Sequence, residues 1–555
     1  MTARIHELPG KLPGKNRHLR RGQTTFGGLV AEGRATGYDL CDMTNLGPVG
    51  YPALSTRPLR RMYINSRNSG IPHGMTRHRG QVVFAQGNKL YVSPSPGLAL
   101  EAGTVSDTDK HFVPFGDDLF ILPDKIYYNS TDGQCHPVEL DSGVLEDVVI
   151  ESGQLTTTEY NFHDAGFRSG DCFHLEVQGD RPSYVLDGYY KIGTIIGGYM
   201  SIIGTFPTTG TYNIRVRREM PSLEGAFALG DRLYGYCGHT VMVCEAGNPF
   251  NWYARDISFA PTAPFRLETG DDESFTACTP WQGYPLFFKT GRICKLMGVS
   301  TGQVGAYPIP SLSEQPMPGV ASGMAATLCE VGGALYYCAN SGVYRYTGTC
   351  PQRISGAWSD GMTGGCGGTD GRAYYLSAVG TDGVWRTYLY RPADGEADEA
   401  WYVEDEGVVA AFSKEPVPEN SGLSCLMQRA GGDLWMARSF DPPFTVGFDE
   451  AEIDSGGLPA MAEFGDERAC EPDGVRLLLL ELRARGNVGD TMTVKIRYDG
   501  DTEWQALGSL TGNGHMTMYR VPGDARRCEW FRLRLEMTGS WCLSGLWREL
   551  ETVGS

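Results

Sequence analysis

The chain has 555 residues, 41% apolar and 21% charged, so it can bury real cores and should divide into two to four domains. Its formal charge of −18 argues against a general nucleic-acid binder, which needs a basic surface, although an acidic lumen would let DNA slide without sticking. No apolar run is long enough to cross a membrane, and the first residues lack the apolar stretch of a secretory signal, so neither is expected.

Residues 1–60 read as an extended arm. Pro9, Pro13, Pro48, Pro52 and Pro58 oppose helix, and apolar runs are short. The arm starts basic: Arg4, Lys11, Lys15, Arg17, Arg20 and Arg21 stand against one acid, Glu7. Such a run is either a solvated tail or a segment that docks on an acidic neighbouring subunit. Residues 1–60 are expected to lie across other parts of the protein or a neighbour. The second reading predicts packing on a neighbouring protein and not only on the chain itself, because a chain with few apolar residues gains order by docking on something already folded.

From about residue 80 a loose repeat begins, a glycine turn followed by an apolar-aromatic strand. Its instances start at Gly87, Gly116, Gly230, Gly283, Gly333, Gly371 and Gly432. Several continue into a partner strand, as in Lys125 to Tyr128, Arg292 to Leu296 and Val343 to Tyr346, and each pair reads as a hairpin. Units at this spacing match four-stranded propeller blades, which bury their faces only by stacking in a ring. The expected fold is all-β: a β-propeller of six or seven blades built from residues 61–134 and 221–445. Stacked β-sandwiches are the alternative.

Residues 135–220 interrupt the repeat. Cys172 to Val177, Tyr189 to Ile192 and Tyr212 to Val216 alternate as strands, which predicts a small β-barrel-like domain inserted in a propeller loop. Residues 446–555 change style again. Val475 to Leu482 is a mostly apolar run, and Met492 to Tyr498 and Phe531 to Leu535 alternate strictly, so a β-sandwich of jelly-roll kind is expected. Arg532 and Arg534 fall on one face of that last strand, as a solvated surface or a subunit interface.

No catalytic pattern stands out. Ten histidines include no zinc-protease spacing, and His73 and His78 sit in a Gly/Pro-containing loop. Gly298-Val299-Ser300-Thr301-Gly302 has the letters of a nucleophile elbow, but prolines at 308 and 310 follow where a helix is required. Asp271-Asp272-Glu273 and Glu404-Asp405-Glu406 read as solvated turns, not as the facing carboxylates of a glycosidase. Trp252, Trp401, Trp504 and Trp541 could stack on sugars, and core packing is the plainer reading. Fifteen scattered cysteines without a Cys-x-x-Cys pair read as free thiols made in a reducing cytoplasm. No enzyme, cofactor or metal is expected.

Two segments resemble a known group. The first is Tyr38 to Leu46, with Asp42, Met43, Asn45 and Leu46, followed by Tyr51-Pro52-Ala53-Leu54-Ser55-Thr56-Arg57. The second is Gly247-Asn248-Pro249-Phe250-Asn251-Trp252, followed by Thr269 to Thr276 and Leu286 to Lys289. Both resemble phage and prophage virion proteins of gut Firmicutes, and the second is also similar to the propeller of podovirus tail nozzle and DNA-stabilisation proteins. The Arg-rich start and Gly47-Pro48-Val49-Gly50 depart from that pattern.

The resemblance implies a homo-oligomeric ring of six copies in a phage tail, assembled in the bacterial cytoplasm. The ring would dock on the adaptor or portal complex, hold phage DNA in its lumen without reading its sequence, and open for genome ejection. A host-recognition protein that binds a surface glycan is the alternative, and a propeller glycosidase a third.

Overall fold

The structure is a computed structural model that describes residues 17–66, 70–179, 187–204, 209–253, 262–298, 311–356, 362–380, 382–394, 399–419, 422–440, 452, 457–468 and 474–553. The protein is all-β. Among the described residues the helical content is the 3-10 turn Ala325–Thr327.

Antiparallel four-stranded sheets, propeller-like in form, span residues 72–104, 111–137, 225–268, 277–316, 329–353 and 363–406. A seventh sheet is made by Val409–Phe412, Gly422–Arg429 and Leu434–Ala437, with Val417–Glu419 at one end and Arg61–Ile64 as its last strand. Each of the seven repeat glycines falls in a different sheet, at a hairpin turn. All seven have positive φ, from 54° at Gly87 to 91° at Gly371. A side chain would strain each turn, which is why the repeat survives as glycine where little else does.

The first strands of successive sheets touch in chain order. Pro72–His78 meets His111–Phe115, which meets Gly225–Leu229, which meets Ala277–Trp281. Trp281 carries the contact onward, its Nε1 donating to the Gly333 carbonyl at 3.1 Å. Cys329–Val331 then packs on Thr363–Thr369, Thr363–Thr369 on Val409–Phe412, and Val409–Phe412 back on Pro72–His78. The series therefore closes. Arg61–Ile64 completes the last sheet by pairing with Leu434–Ala437, so residues 370 or more positions apart pair in one sheet.

A closed six-stranded barrel, residues 140–218, stands between the second and third sheets. It has its own core of Ile150, Leu155, Phe162, Phe173, Met200 and Ile214. This is the barrel expected between residues 135 and 220.

Two six-stranded sheets form the remainder. Trp541–Val553 lies between Gly474–Gly486 on one side and Arg17–Gln23 with Leu54–Thr56 on the other. Trp530–Thr538 lies between Thr491–Tyr498 and Pro459–Phe464, with Leu40–Thr44 beyond. Leu480, Leu482, Leu546, Val494, Leu533 and Leu535 meet in one apolar cluster. Where it is described, the segment read as an arm lies across its own protein: residues 17–56 supply strands to both sheets, and Phe26, Leu40, Met43, Leu46 and Leu54 enter their core. Short apolar runs suffice because each strand needs only alternate apolar positions once a partner sheet exists. Gly28 shows how closely this segment is laid down, since a Cβ there would lie 2.4 Å from the Trp401 carbonyl oxygen.

Candidate functional site

Arg4, Lys11 and Lys15 lie outside the described residues. Arg17, Arg20 and Arg21 lie on the edge strand Arg17–Gln23. Arg20 pairs with Glu481, which Arg520 Nε also reaches at 2.9 Å, and Arg21 pairs with Glu467. Both carboxylates are nearly buried. These two arginines neutralise acids of their own chain. Arg17 remains exposed.

The first resembling segment builds a joint. Met43 and Leu46 are core residues, and Asp42 faces outward. Asn45, with φ of 58°, donates from Nδ2 to the Pro459 carbonyl at 2.7 Å and accepts from Arg57 Nε at 2.8 Å. Its backbone N–H donates to the Glu404 carbonyl at 3.1 Å. The Arg391 guanidinium lies 3.9 Å from the Tyr51 ring centroid, and the Pro52 carbonyl accepts from Phe26 N–H.

Around this joint three arginines meet three carboxylates. Arg57 forks onto Glu452, with both contacts at 2.8 Å. Arg60 reaches Glu404 at 2.9 Å, Asp405 at 2.6 Å and Glu452 at 3.2 Å. Arg429 closes the group on Asp405 and Glu452. Arg60 is 1% exposed and Glu404 2%. Burial raises the Glu404 pKa although Arg60 and Arg57 oppose it. Burial also works against Glu452 ionisation, yet Arg60 and Arg57 outweigh it and hold its pKa at about 2. Glu404 and Asp405 are therefore not solvated, contrary to expectation. Strand Ala400–Glu406 packs beneath the N-terminal segment, so water is replaced by guanidinium. Asp271 likewise pairs with the buried Lys289 and with Arg292.

The second resembling segment holds the barrel. Asn248 Nδ2 donates to the Gly170 carbonyl at 2.6 Å and to Glu245 at 3.3 Å, and Asn251 Nδ2 donates to Glu245 at 3.0 Å. Lys191 of the barrel pairs with Glu245 at 2.5 Å. Arg218, which ends the barrel, pairs with Asp171 at 2.7 Å and stands 4.5 Å over the Phe250 ring. His174, Tyr189 and Tyr253 stack at 4.7 and 4.6 Å. Pro249 lines a cleft of about 580 Å³ at this joint.

Trp252, Trp401 and Trp541 are buried, which agrees with the core reading. Trp504 lies between the Arg497 and Arg534 guanidinium groups, at 4.8 and 4.3 Å. Arg532 and Arg534 do share a face, but Glu463 and Asp466 neutralise them there. His73 and His78 lie in strand Pro72–His78, with His73 between Asp107 and Asp109 and His78 against the Asp117 carbonyl. Ser300 lies outside the described residues. The described cysteines are free, and Cys470 lies outside them. Among the described residues no three His, Cys, Asp or Glu side chains could hold a metal ion.

Sequence reasoning missed a polar cleft of about 800 Å³ between residues 32–38 and Asp466 to Arg468. Its two walls, residues 32–38 and Asp466 to Arg468, are 428 or more positions apart in sequence, so no spacing could mark it.

No protein-family model and no curated protein matches the chain. Solved structures are similar at a distance. A computationally designed protein, Ika8, matches with 10% identity and a TM-score of 0.35, over 68% of this chain and 99% of its own. Kluyveromyces lactis Hsv2 matches with 8% identity and a TM-score of 0.32, over 80% and 99%. PorZ, a surface component of the type-IX secretion system of Porphyromonas gingivalis, matches with 12% identity and a TM-score of 0.33, over 84% and 52%. Likeness at this level carries no function to the chain.

Proposed function

We propose that this chain is a structural, non-catalytic virion protein of a phage tail, a nozzle-like subunit that assembles into a ring of six. In this reading the seven sheets are the blades of one β-propeller, and the two terminal sheets are a jelly-roll-type sandwich. The ring docks on the adaptor or portal complex, retains DNA and opens for ejection.

The observation that carries the reading is where the two resembling segments fall. One joins the chain's first strands to the sixth and seventh sheets, and the other joins the barrel to the second and third. A protein that must transmit load between rigid units needs fixed joints; both segments resemble phage virion proteins, and the second also resembles the propeller of nozzle proteins. The acidic balance suits a lumen through which DNA slides.

Electron microscopy of the purified protein, and of virions labelled against it, tests the proposal. Sixfold rings and label at the tail are expected. A trimer with label at the fibre tips would sink the nozzle reading in favour of host recognition, and absence from virions would sink both.

A further inference from the structure

We infer that the polar cleft between residues 32–38 and Asp466 to Arg468 binds a neutral saccharide, a role independent of the ring. The cleft is open, and its volume of about 800 Å³ suits a small organic ligand. Tyr38 lines it and is 38% exposed, presenting an aromatic surface on which the C–H face of a sugar ring can lie.

The charges decide the ligand class. Four arginines line the cleft, Arg21, Arg34, Arg468 and Arg532, with Glu32, Asp466 and Glu467. Arg532 binds Asp466 at 2.6 Å and Glu32 at 2.5 Å, Arg468 binds Asp466 at 2.6 Å, and Arg21 binds Glu467. At three of the four arginines an anion would compete with carboxylates already in place, and a cation would meet arginines. Neutral hydroxyls meet neither obstacle. Vicinal hydroxyls both donate and accept, and a wall that alternates guanidinium N–H with carboxylate oxygen matches them.

Glu467 is 3% exposed and forms the floor of the cleft: Arg21 holds its Oε1, and its buried Oε2 pairs with Arg548 Nε at 3.5 Å. Gly37 lies so close above that a Cβ there would come within 2.4 Å of this oxygen. The loop is thus fitted to the carboxylate by a residue without a side chain. Arg34, whose Nη1 donates to the Gly356 carbonyl at 3.0 Å, also lines the cleft and supplies further donors.

The test is saturation-transfer NMR and calorimetry on the full chain, with chitotriose, maltotriose and lactose as neutral probes. Inorganic phosphate and trigalacturonate serve as anionic probes. At least one neutral probe is expected to bind, and Tyr38→Ala and Arg34→Ala should each weaken it tenfold or more. Tyr38→Phe, which keeps the ring, should stay within threefold of the parent. Unchanged circular dichroism and melting show that the variants fold; if Tyr38→Ala does not, Arg34→Ala and Tyr38→Phe decide. Binding of the anionic probes alone, of no neutral probe, or undiminished binding in Arg34→Ala would overturn the inference.

Discussion

Replacing Arg60 by leucine strikes the joint where the chain's first strands meet the sixth and seventh sheets. The three arginines and three carboxylates there balance; without Arg60 the group carries one uncompensated negative charge, and Glu404 loses its partner at 2.9 Å. Breaking a buried pair costs about 3–5 kcal/mol, because the remaining charge keeps its desolvation penalty. The adjacent strand Arg61–Ile64 holds the last sheet, so the loss should appear as local opening. Amide exchange in Arg61–Ile64 and Leu434–Ala437 should speed up about a hundredfold or more at pH 7. Acid adds a signed check. Glu452 has a depressed pKa, about 2 instead of 4.5, so its contribution is full above about pH 4.5 and is lost as pH falls through about 2. That shift is worth roughly 3 kcal/mol. Glu404 runs the other way: its pKa is raised by burial, so its contribution is present at low pH and lost as pH rises through its folded value. In Arg60→Leu the stranded carboxylates can take up protons, so the gap to the parent should narrow from pH 6 to pH 3. The double variant Arg60→Leu/Glu404→Leu, which removes both charges, should recover at least half of the loss. A gap under about 1 kcal/mol at pH 7, or one that widens in acid, would refute the account.

Deleting residues 1–16 should leave the melting temperature unchanged and weaken incorporation into particles, more so at high salt; full incorporation at every salt concentration would show that this segment does not dock. Deleting residues 1–23 should instead lower the melting temperature and promote self-association, since it strips Trp541–Val553 of an edge partner and Glu467 and Glu481 of one arginine each. Asn248→Ala should cost about 1–3 kcal/mol at the barrel joint and speed proteolysis within residues 140–218; unchanged cleavage would remove the joint from Asn248. A thiol reagent should label the exposed Cys237 and Cys350 first. Buried thiols such as Cys338, pushed up to about 12, should react only after denaturation without reductant, and a shortfall from fifteen would reveal disulfides.

The repeat was legible because each hairpin turn demands positive φ, and glycine marks that demand in sequence at Gly87, Gly116 and the five that follow. The barrel was legible because its strands alternate in their own span. The N-terminal strands were not. Leu46–Gly47 and Leu54–Thr56 are too short to show a period; they pair with each other, and the further partner of Leu54–Thr56, Trp541–Val553, lies almost 500 residues away. The acidic pairs misled for a related reason. Glu404 and Asp405 look like any polar turn until Arg60, 344 positions earlier, is laid across them.

Strands far apart in sequence share each terminal sheet, with a consequence for assembly. Arg17 lies opposite Thr552, and Leu40 opposite Phe464, so Leu40–Thr44 cannot pair until residue 464 exists, nor Arg17–Gln23 until residue 552 does. The seventh sheet waits as well, because Arg61–Ile64 pairs with Leu434–Ala437. Loop-closure entropy must be met before such contacts stabilise anything, which makes this the slow part of folding. The barrel and the middle sheets, built from neighbouring residues, can form first. Until the ends meet, Arg17–Gln23 is an exposed strand segment, and its basic side chains oppose strand-to-strand pairing with another copy. The same arginines then meet Glu467 and Glu481 when the two sheets arrive. One basic run thus serves two stages, repelling like chains while the strand is bare and neutralising buried acids once it is paired.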